Sequence, residues 1–184
     1  IVPSQSRITA YWPDGSVKWT AHTADSKNGE TFEVIPVNED VSSKKDMEPS
    51  LFVKEEEDAY IVDAGCVHAT VPKNKNVILC DVTVDGRVQV TDADLVLQLE
   101  ERSVKDGVLI QKTVPYTGEI ESVSIEEQGP VRVTFCLRGT HVSHANDRRV
   151  LPFVIRETIY FNSPKIDFEH TFLFDGDEKK DFLK

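Results

Sequence analysis

Alternation of apolar and polar residues runs along almost the whole chain, and it limits the fold more than any other feature of the sequence. Val, Ile, Thr, Phe and Tyr fill runs in which successive side chains alternate in character, as in half-buried β-strands. Short turn sequences separate the runs, and PDGS, KNGE, VDGR, KDGV and NSPK each supply a Gly for positive φ or a Pro for fixed φ. No segment shows a helical period with caps, so the sequence predicts an all-β protein.

The predicted strands differ in length along the chain. They are Arg7–Trp12, Val17–Thr23, Thr31–Val37, Ser50–Val53, Tyr60–Asp63, Cys66–Val71, Val77–Val84, Arg87–Val90, Leu95–Glu101, Val108–Val114, Ile120–Glu127, Val131–His141, Leu151–Phe161 and Lys165–Phe174. A turn at Pro115–Gly118 is predicted to separate a meandering first part from longer C-terminal strands, which suit a β-sandwich. The polar stretch Val37–Ser50 is predicted to be a surface loop, either a lid or a solvated insertion.

Length and charge narrow the possible functions. A chain of 184 residues with 39% hydrophobic residues is long and apolar enough to bury a core. The net charge of −11 argues against a general nucleic-acid binder, because phosphate contacts need a basic face. No apolar run is long enough to span a membrane. Cys66, Cys80 and Cys136 are expected to be buried thiols, with a Cys66–Cys80 disulfide as the alternative.

The segment AYWPDGSVKWT contains both tryptophans of the chain around one tight turn. Pro13 and Gly15 favour a hairpin turn, since Pro presets φ and Gly takes the left-handed position. Trp19 falls on the same face as the apolar residues of its strand and is predicted to be a core anchor. Trp12 lies beside the turn and is predicted to be partly exposed, where its ring either anchors the hairpin or stacks on a sugar.

A second candidate segment is RGTHVSHANDRRV, which concentrates basic and titratable side chains in an acidic protein. His141, His144, Arg148 and Arg149 lie within nine residues, at the junction of two predicted long strands. Such a cluster is suited to an anionic sugar, with a histidine as general base and an arginine as carboxylate clamp. The alternative is a polar hairpin tip with solvated charges.

No sequence pattern indicates a metal ion or a cofactor. FDGDEKKD groups several carboxylates, but Lys occupies positions where the EF-hand pattern requires an acidic ligand and Gly. His22, His68 and His170 lack the paired spacing of a zinc site. The nucleophile-elbow, dinucleotide and P-loop patterns are all missing, so we expect a protein that uses neither metal nor cofactor.

Several segments together resemble the exo-rhamnogalacturonan lyase and YetA-like family. QSRITAYWPDGSVKWTAHT contains the WPDGS hairpin signature of that family, and four further segments follow in the family's order: IVDAGCVHATVPK, LCDVTVDGR, IEEQGPVRVTFCLRGTH and LPFVIRETIYFNSPKIDFEHTFLFDGDEKKDFLK. The resemblance implies an N-terminal RIFT-type barrel, a central β-sandwich and a helical toroid. In this chain, residues 1–95 would be the remainder of the barrel and 96–184 the front of the sandwich, within a longer protein.

The resemblance also implies cleavage of acidic glycans by β-elimination. A base removes the proton α to a uronate carboxylate, a cation neutralises that carboxylate, and an acid protonates the leaving oxygen. The candidate catalytic residues are His144, His141, Arg148 and Arg149, and the candidate substrate contacts are Trp12, Arg148 and Arg149. The expected partners are an acidic polysaccharide or oligosaccharide and the helical remainder of the polypeptide, with neither nucleic acid nor membrane. The alternative is a non-catalytic carbohydrate-binding or structural β module.

Overall fold

The computed structural model describes residues 3–24, 31, 33, 51–74 and 76–184, and this part of the chain holds thirteen β-strands and no helix. The strands are β1 (Ser4–Tyr11), β2 (Val17–Ala24), β3 (Phe52–Glu55), β4 (Ala59–Asp63), β5 (Val67–Pro72), β6 (Leu79–Val84), β7 (Arg87–Ala93), β8 (Val96–Lys105), β9 (Val108–Gln128), β10 (Arg132–Val142), β11 (Arg149–Tyr160), β12 (Ile166–Phe172) and β13 (Asp181–Leu183). The predicted all-β class is confirmed. The predicted strand at Thr31–Val37 and loop at Val37–Ser50 lie, apart from Thr31 and Glu33, outside the described residues. Nowhere in the described ranges is there a helix with the length and apolar character needed to cross a bilayer.

The thirteen described strands form three antiparallel sheets. A six-stranded sheet has the order β12-β11-β10-β9-β8-β13, a five-stranded sheet has the order β3-β4-β5-β6-β7, and β1 pairs with β2 as a separate hairpin. Strands β3 to β7 lie within the range predicted for the remainder of the barrel, residues 1–95. They form the five-stranded sheet, which shares a hydrophobic core with the six-stranded sheet.

One hydrophobic core joins the two large sheets. The five-stranded sheet contributes buried residues such as Val62, Val67 and Val71, and the six-stranded sheet contributes Phe135 and Ile155. Burying each such side chain stabilises the fold by about 1.5–3 kcal/mol. The three cysteines form no disulfide, and Cys80 Sγ lies 3.6 Å from an Asp81 carboxylate oxygen. The prediction of thiols without a disulfide is confirmed; Cys80 and Cys136 are buried as predicted, whereas Cys66 is half-buried.

Strand β9 is unusually long at 21 residues and connects two blocks of the six-stranded sheet. Its first half, up to Thr117, pairs with β8, whereas its second half, from Thr117 onward, pairs with β10. The predicted turn at Pro115–Gly118 is therefore wrong, because the chain continues as one strand. Pro115 is tolerated there because, among the described strands, β8 alone pairs with β9 at that point, so the missing N–H need not interrupt a second ladder.

A second, smaller core lies where the two blocks meet. It contains Leu99, Val114, Tyr116, Val150 and Leu151. Strand β8 and the first half of β9, residues 96–117, form an arm that contributes to this core and that β13 joins along residues 99–101. Valines and other apolar residues near the tip of this arm are more than 40% exposed.

The N-terminal hairpin is attached to the sandwich through Gln5. The Gln5 side-chain oxygen accepts hydrogen bonds from the backbone N–H groups of Val131 and Arg132, at 3.3 and 3.0 Å, and its amide donates to Glu127 at 2.6 Å. Trp19 on this hairpin is 63% exposed, so its predicted role as a core anchor is wrong. The alternation of β2 identifies its apolar face correctly, but no described element covers that face.

Candidate functional site

The segment with the candidate basic residues forms the connection between β10 and β11. Its turn is closed by backbone bonds from Ser143 N–H to Arg148 O (2.9 Å) and from Asp147 N–H to Ser143 O (2.8 Å). Asp147 takes a φ of 54°, a left-handed conformation that Asp tolerates better than most residues. The turn therefore sends the side chains on either side of it in different directions.

His141 lies inside the protein. Its side chain is 2% exposed, its Nδ1 is 2.7 Å from the carbonyl oxygen of Leu151, and its ring centroid is 5.0 Å from that of Phe153. Burial holds the pKa of His141 below its ordinary value, so the ring is neutral at neutral pH. His141 therefore belongs to the core and does not share the solvent-facing side of the turn with His144.

His144 is exposed at the turn. Its Nε2 lies 2.8 Å from the hydroxyl oxygen of Thr117, at the point where β9 changes partners. This is the one histidine of the predicted cluster that solvent or a sugar can reach.

Arg148 is held by carboxylates on two other strands. Its guanidinium donates two parallel hydrogen bonds to Asp181, at 2.9 and 2.5 Å, and a third to Glu101 at 3.0 Å. The Arg148 guanidinium in turn keeps the pKa of Asp181 below its ordinary value. The Tyr116 hydroxyl donates to the same Glu101 oxygen at 2.8 Å, and burial is the main cause that raises the pKa of Tyr116 to about 12. Arg148 therefore joins β13 to the rest of the sheet.

Arg149 points away from Arg148. It donates to Glu119 at 2.7 Å and to Glu121 at 3.2 Å on β9, and these carboxylates raise its pKa further. The structure thus separates the four predicted residues: His141 is in the core, His144 on the turn, Arg148 in an ion-pair network and Arg149 in a separate surface ion pair.

A groove of about 420 Å³ lies next to Arg148 on the arm. Its lining includes four cationic side chains and three carboxylates, so it has one positive charge in excess although the chain as a whole is at −11. The cations are Arg102, Lys112, Arg148 and Lys180. Lys112 is not among the residues predicted from the sequence, because a lone lysine on an alternating strand does not indicate a binding site. The pairing of β8 with β9 places it opposite Glu101.

Trp12 has the partial exposure that the sequence predicts. Its side chain is 50% exposed, and the Lys18 ammonium nitrogen lies 4.2 Å from the ring centroid. The Pro13–Gly15 turn that presents it is closed by a bond from Gly15 N–H to Trp12 O at 2.9 Å, with Gly15 at a φ of 85°. Because Lys18 and Trp19 are consecutive on a strand, the two tryptophans lie on opposite faces of the hairpin.

The carboxylates of FDGDEKKD diverge. Asp175 accepts the backbone N–H of Leu151, Asp177 pairs with Lys180, and Asp181 pairs with Arg148. Across the ranges that the structure describes, no group of three or more potential metal-binding side chains converges.

Comparison with known proteins assigns both parts of the chain. Residues 51–184 match the PcRGLX-like protein central beta sandwich domain, and residues 1–37 match the PcRGLX-like N-terminal RIFT barrel domain. The uncharacterized protein YetA of Bacillus subtilis (strain 168) is 32% identical over 183 residues. That alignment covers 98% of this chain but 21% of the relative, so the chain spans about a fifth of the relative's length. The chain therefore belongs to the YetA-like, PcRGLX-like family and carries its central β-sandwich and part of its RIFT barrel.

Proposed function

We propose that this chain is the N-terminal β region of a carbohydrate-active enzyme, a polysaccharide lyase that cleaves rhamnogalacturonan-type acidic glycans by β-elimination. The observation that carries the proposal is the match of two successive PcRGLX-like domains along one chain, a family related by its name to rhamnogalacturonan lyases. Because the chain spans about a fifth of its relative, the activity is proposed for the whole protein. The β region would contribute part of the substrate cleft.

The groove beside Arg148 offers a cation for the uronate carboxylate. Arg148 itself is occupied by Asp181 and Glu101, so binding a sugar carboxylate would break an existing ion pair. Lys112 differs, because no described carboxylate lies within ion-pair distance of its ammonium group. In this proposal Lys112 contacts the carboxylate and Arg148 holds the groove wall in place.

The proton-transfer groups are only partly present in this region. His144 is the exposed candidate for the general base. His141 is buried, so its proposed role is to support the core beneath the turn. Arg149 remains a candidate rim contact, since its ion pairs with Glu119 and Glu121 are exposed and weak. The remaining acid and base groups are assigned to the helical part of the polypeptide.

A non-catalytic carbohydrate-binding module is the second candidate function. The half-exposed Trp12 ring favours it, because an exposed aromatic face makes CH–π contacts with a pyranose. Lys18 covers one face of the ring and leaves the other available. Binding to neutral sugars through Trp12, without elimination, would distinguish this candidate from the lyase.

Ultraviolet absorbance during incubation with rhamnogalacturonan oligosaccharides tests the lyase proposal. β-Elimination creates a conjugated unsaturated uronate, which hydrolysis does not form. The full-length protein and the 184-residue chain are compared side by side. We expect the absorbance to rise with the full-length protein alone; a rise with the short chain would place the whole active site here, and no rise with either would reject the lyase.

Two variants of the full-length protein separate the groove from the surrounding surface. Lys112→Ala removes the proposed carboxylate contact, and we expect KM to rise about tenfold, the loss of one charge-assisted contact. Lys105→Ala removes an exposed lysine from the same arm, outside the groove lining, and serves as the matched control. Equal KM values for both variants would contradict the role of Lys112.

A further inference from the structure

Glu157 lies in the middle of β11 and faces the interior of the sandwich. It belongs to the alternating buried set of that strand, between Ile155 and Ile159. The neighbouring Arg156 points to the opposite face, where it donates to Glu126 at 2.6 Å. The Glu157 side chain is 0% exposed, and neither of its carboxyl oxygens has a hydrogen-bond partner in the described part of the chain. Buried polar atoms nearly always have partners in folded proteins, so this one requires a physical explanation.

Among the described residues, no charged side chain bonds to the Glu157 carboxyl. In the β-ladders it lies opposite Phe135 of β10 on one side and Phe168 of β12 on the other. The described core cluster that joins the two sheets consists of apolar and aromatic side chains. The titratable groups that face this interior are Tyr60 on β4, Cys66 before β5, His141 on β10 and His170 on β12, and none of them bonds to the Glu157 carboxyl.

The neutral acid is the form that this site favours. An ionised carboxylate without a partner is costly to bury, because the interior solvates charge poorly. Burial alone raises the pKa of Glu157 to about 8. At neutral pH the side chain is therefore mainly an uncharged carboxylic acid.

Of the two residues opposite Glu157 in the ladders, the one on β12 is the more exposed to solvent. Phe135 blocks the β10 side, since it is 0% exposed. On the other side, β12 is bonded to β11 alone among the described strands, and Phe168 is 49% exposed. Phe168 also lines an apolar cavity of about 480 Å³, formed with residues of β6 and β7 at the open side of the sandwich.

We propose that Glu157 is a pH-sensitive device of this sandwich, in which the protonated acid keeps β12 packed on the core and loss of the proton favours separation of β12 from β11. Separation of β12 would admit water to the carboxylate along the side that Phe168 covers. The strands on the other side of the core, such as β5, would stay in place because Phe135 and its neighbours remain packed.

The direction of the pH effect follows from the two states of the carboxyl. When β12 separates, Glu157 returns to its ordinary pKa of 4.5, whereas in the closed state its pKa is about 8. Below pH 4.5 both states hold the proton, and above pH 8 neither does. Between these limits the closed state holds one proton more, so each pH unit raises the opening equilibrium about tenfold.

Amide hydrogen exchange of the chain between pH 5 and 8 tests the device. We expect protection factors in β12, corrected for the intrinsic exchange rate, to fall by about tenfold per pH unit. Strand β5 should show no such trend. Glu157→Gln keeps the shape of the side chain but cannot ionise, so its β12 protection should not change with pH.

Two controls keep the test decisive. Glu169→Gln removes a mostly exposed carboxylate of β12 itself and should retain the wild-type profile. Glu157→Met replaces Gln if that variant fails to fold, and should be equally independent of pH. The proposal is overturned if wild type and Glu157→Gln lose β12 protection in parallel. It is also overturned if β5 loses protection together with β12, because the whole sandwich would then be opening.

Discussion

The Arg148 network gives a quantitative prediction for stability. Arg148→Met removes the guanidinium and keeps an apolar stem of similar length. The change leaves Asp181, whose side chain is 2% exposed, with the backbone N–H of Asp177 as its donor, and leaves Glu101 with the Tyr116 hydroxyl. Three charge-assisted hydrogen bonds are lost at once.

The expected loss follows from the burial of the two partners. Removing one member of a buried ion pair costs about 3–5 kcal/mol, because the other charge is left uncompensated. The Arg148 side chain is 33% exposed, so solvent already screens part of the pair. We therefore expect the free energy of unfolding to fall by about 2–3 kcal/mol at neutral pH.

Urea denaturation measures this loss of stability. Amide exchange at Phe182 and Leu183 reports whether β13 separates from β8 before the rest of the protein unfolds. Arg149→Met is the matched control, because its ion pairs with Glu119 and Glu121 are exposed and should cost less than about 1 kcal/mol. Asp181→Asn in the Arg148→Met background should recover part of the loss by removing the unpaired charge. Equal losses for Arg148→Met and Arg149→Met would show that the Arg148 network contributes no more than an exposed ion pair.

The pKa of Asp181 gives the same network a pH dependence. Because Arg148 lowers the pKa of Asp181 in the folded state, the pair stabilises the protein above the ordinary Asp value of 3.8 and loses that contribution as pH falls through the folded pKa. Wild type should lose this contribution in strong acid, and Arg148→Met should lack it.

Two further substitutions test packing and exposure. Gly139→Ala would place a Cβ in contact with the Glu119 carbonyl oxygen and 2.7 Å from Phe153 Cζ, so urea denaturation should show a loss of about 2 kcal/mol or more. An added Cβ at Gly86 would meet open space, but Gly86 has a φ of 73°, so Gly86→Ala should cost about 1 kcal/mol through backbone strain alone. A larger loss for Gly86→Ala than for Gly139→Ala would contradict this prediction. Trp12→Ala should change stability by less than about 0.5 kcal/mol, since the ring is half exposed, yet weaken glycan binding in calorimetry if the ring stacks on a sugar. Unchanged affinity would remove Trp12 from the proposed substrate contacts.

Local features of the fold were predictable because they depend on short-range chemistry. The Asp85–Gly86 and Asp106–Gly107 pairs both adopt positive φ, as a two-residue hairpin turn requires, and each connects the strands that the alternation predicts. Pro115 was misleading because its effect depends on whether a second strand lies beside it. That neighbour is set by pairings distant in sequence.

The candidate site was predictable only in part, for the same reason. The segment from His141 to Arg149 is rich in basic residues, but the directions of its side chains depend on Asp181 and Glu119, which lie 33 and 30 residues away from their arginine partners. The sequence around Glu157 gives conflicting signals. A glutamate next to an arginine resembles a surface ion pair, and only the alternation of β11 places it inside.

The division of β9 between two partners has a consequence for how this family can diversify. The sandwich block and the arm share that strand but use separate halves of its ladder, with Thr117 at the boundary. Residues can be added to or removed from the arm in matched pairs, one on β8 and one on β9, without changing the register in which β9 meets β10. The arm can therefore differ in length and charge between homologues while the residues of the large sandwich core stay the same. Because Arg102 and Lys112 line the groove from this arm, these two cations can change without altering the register of the sandwich.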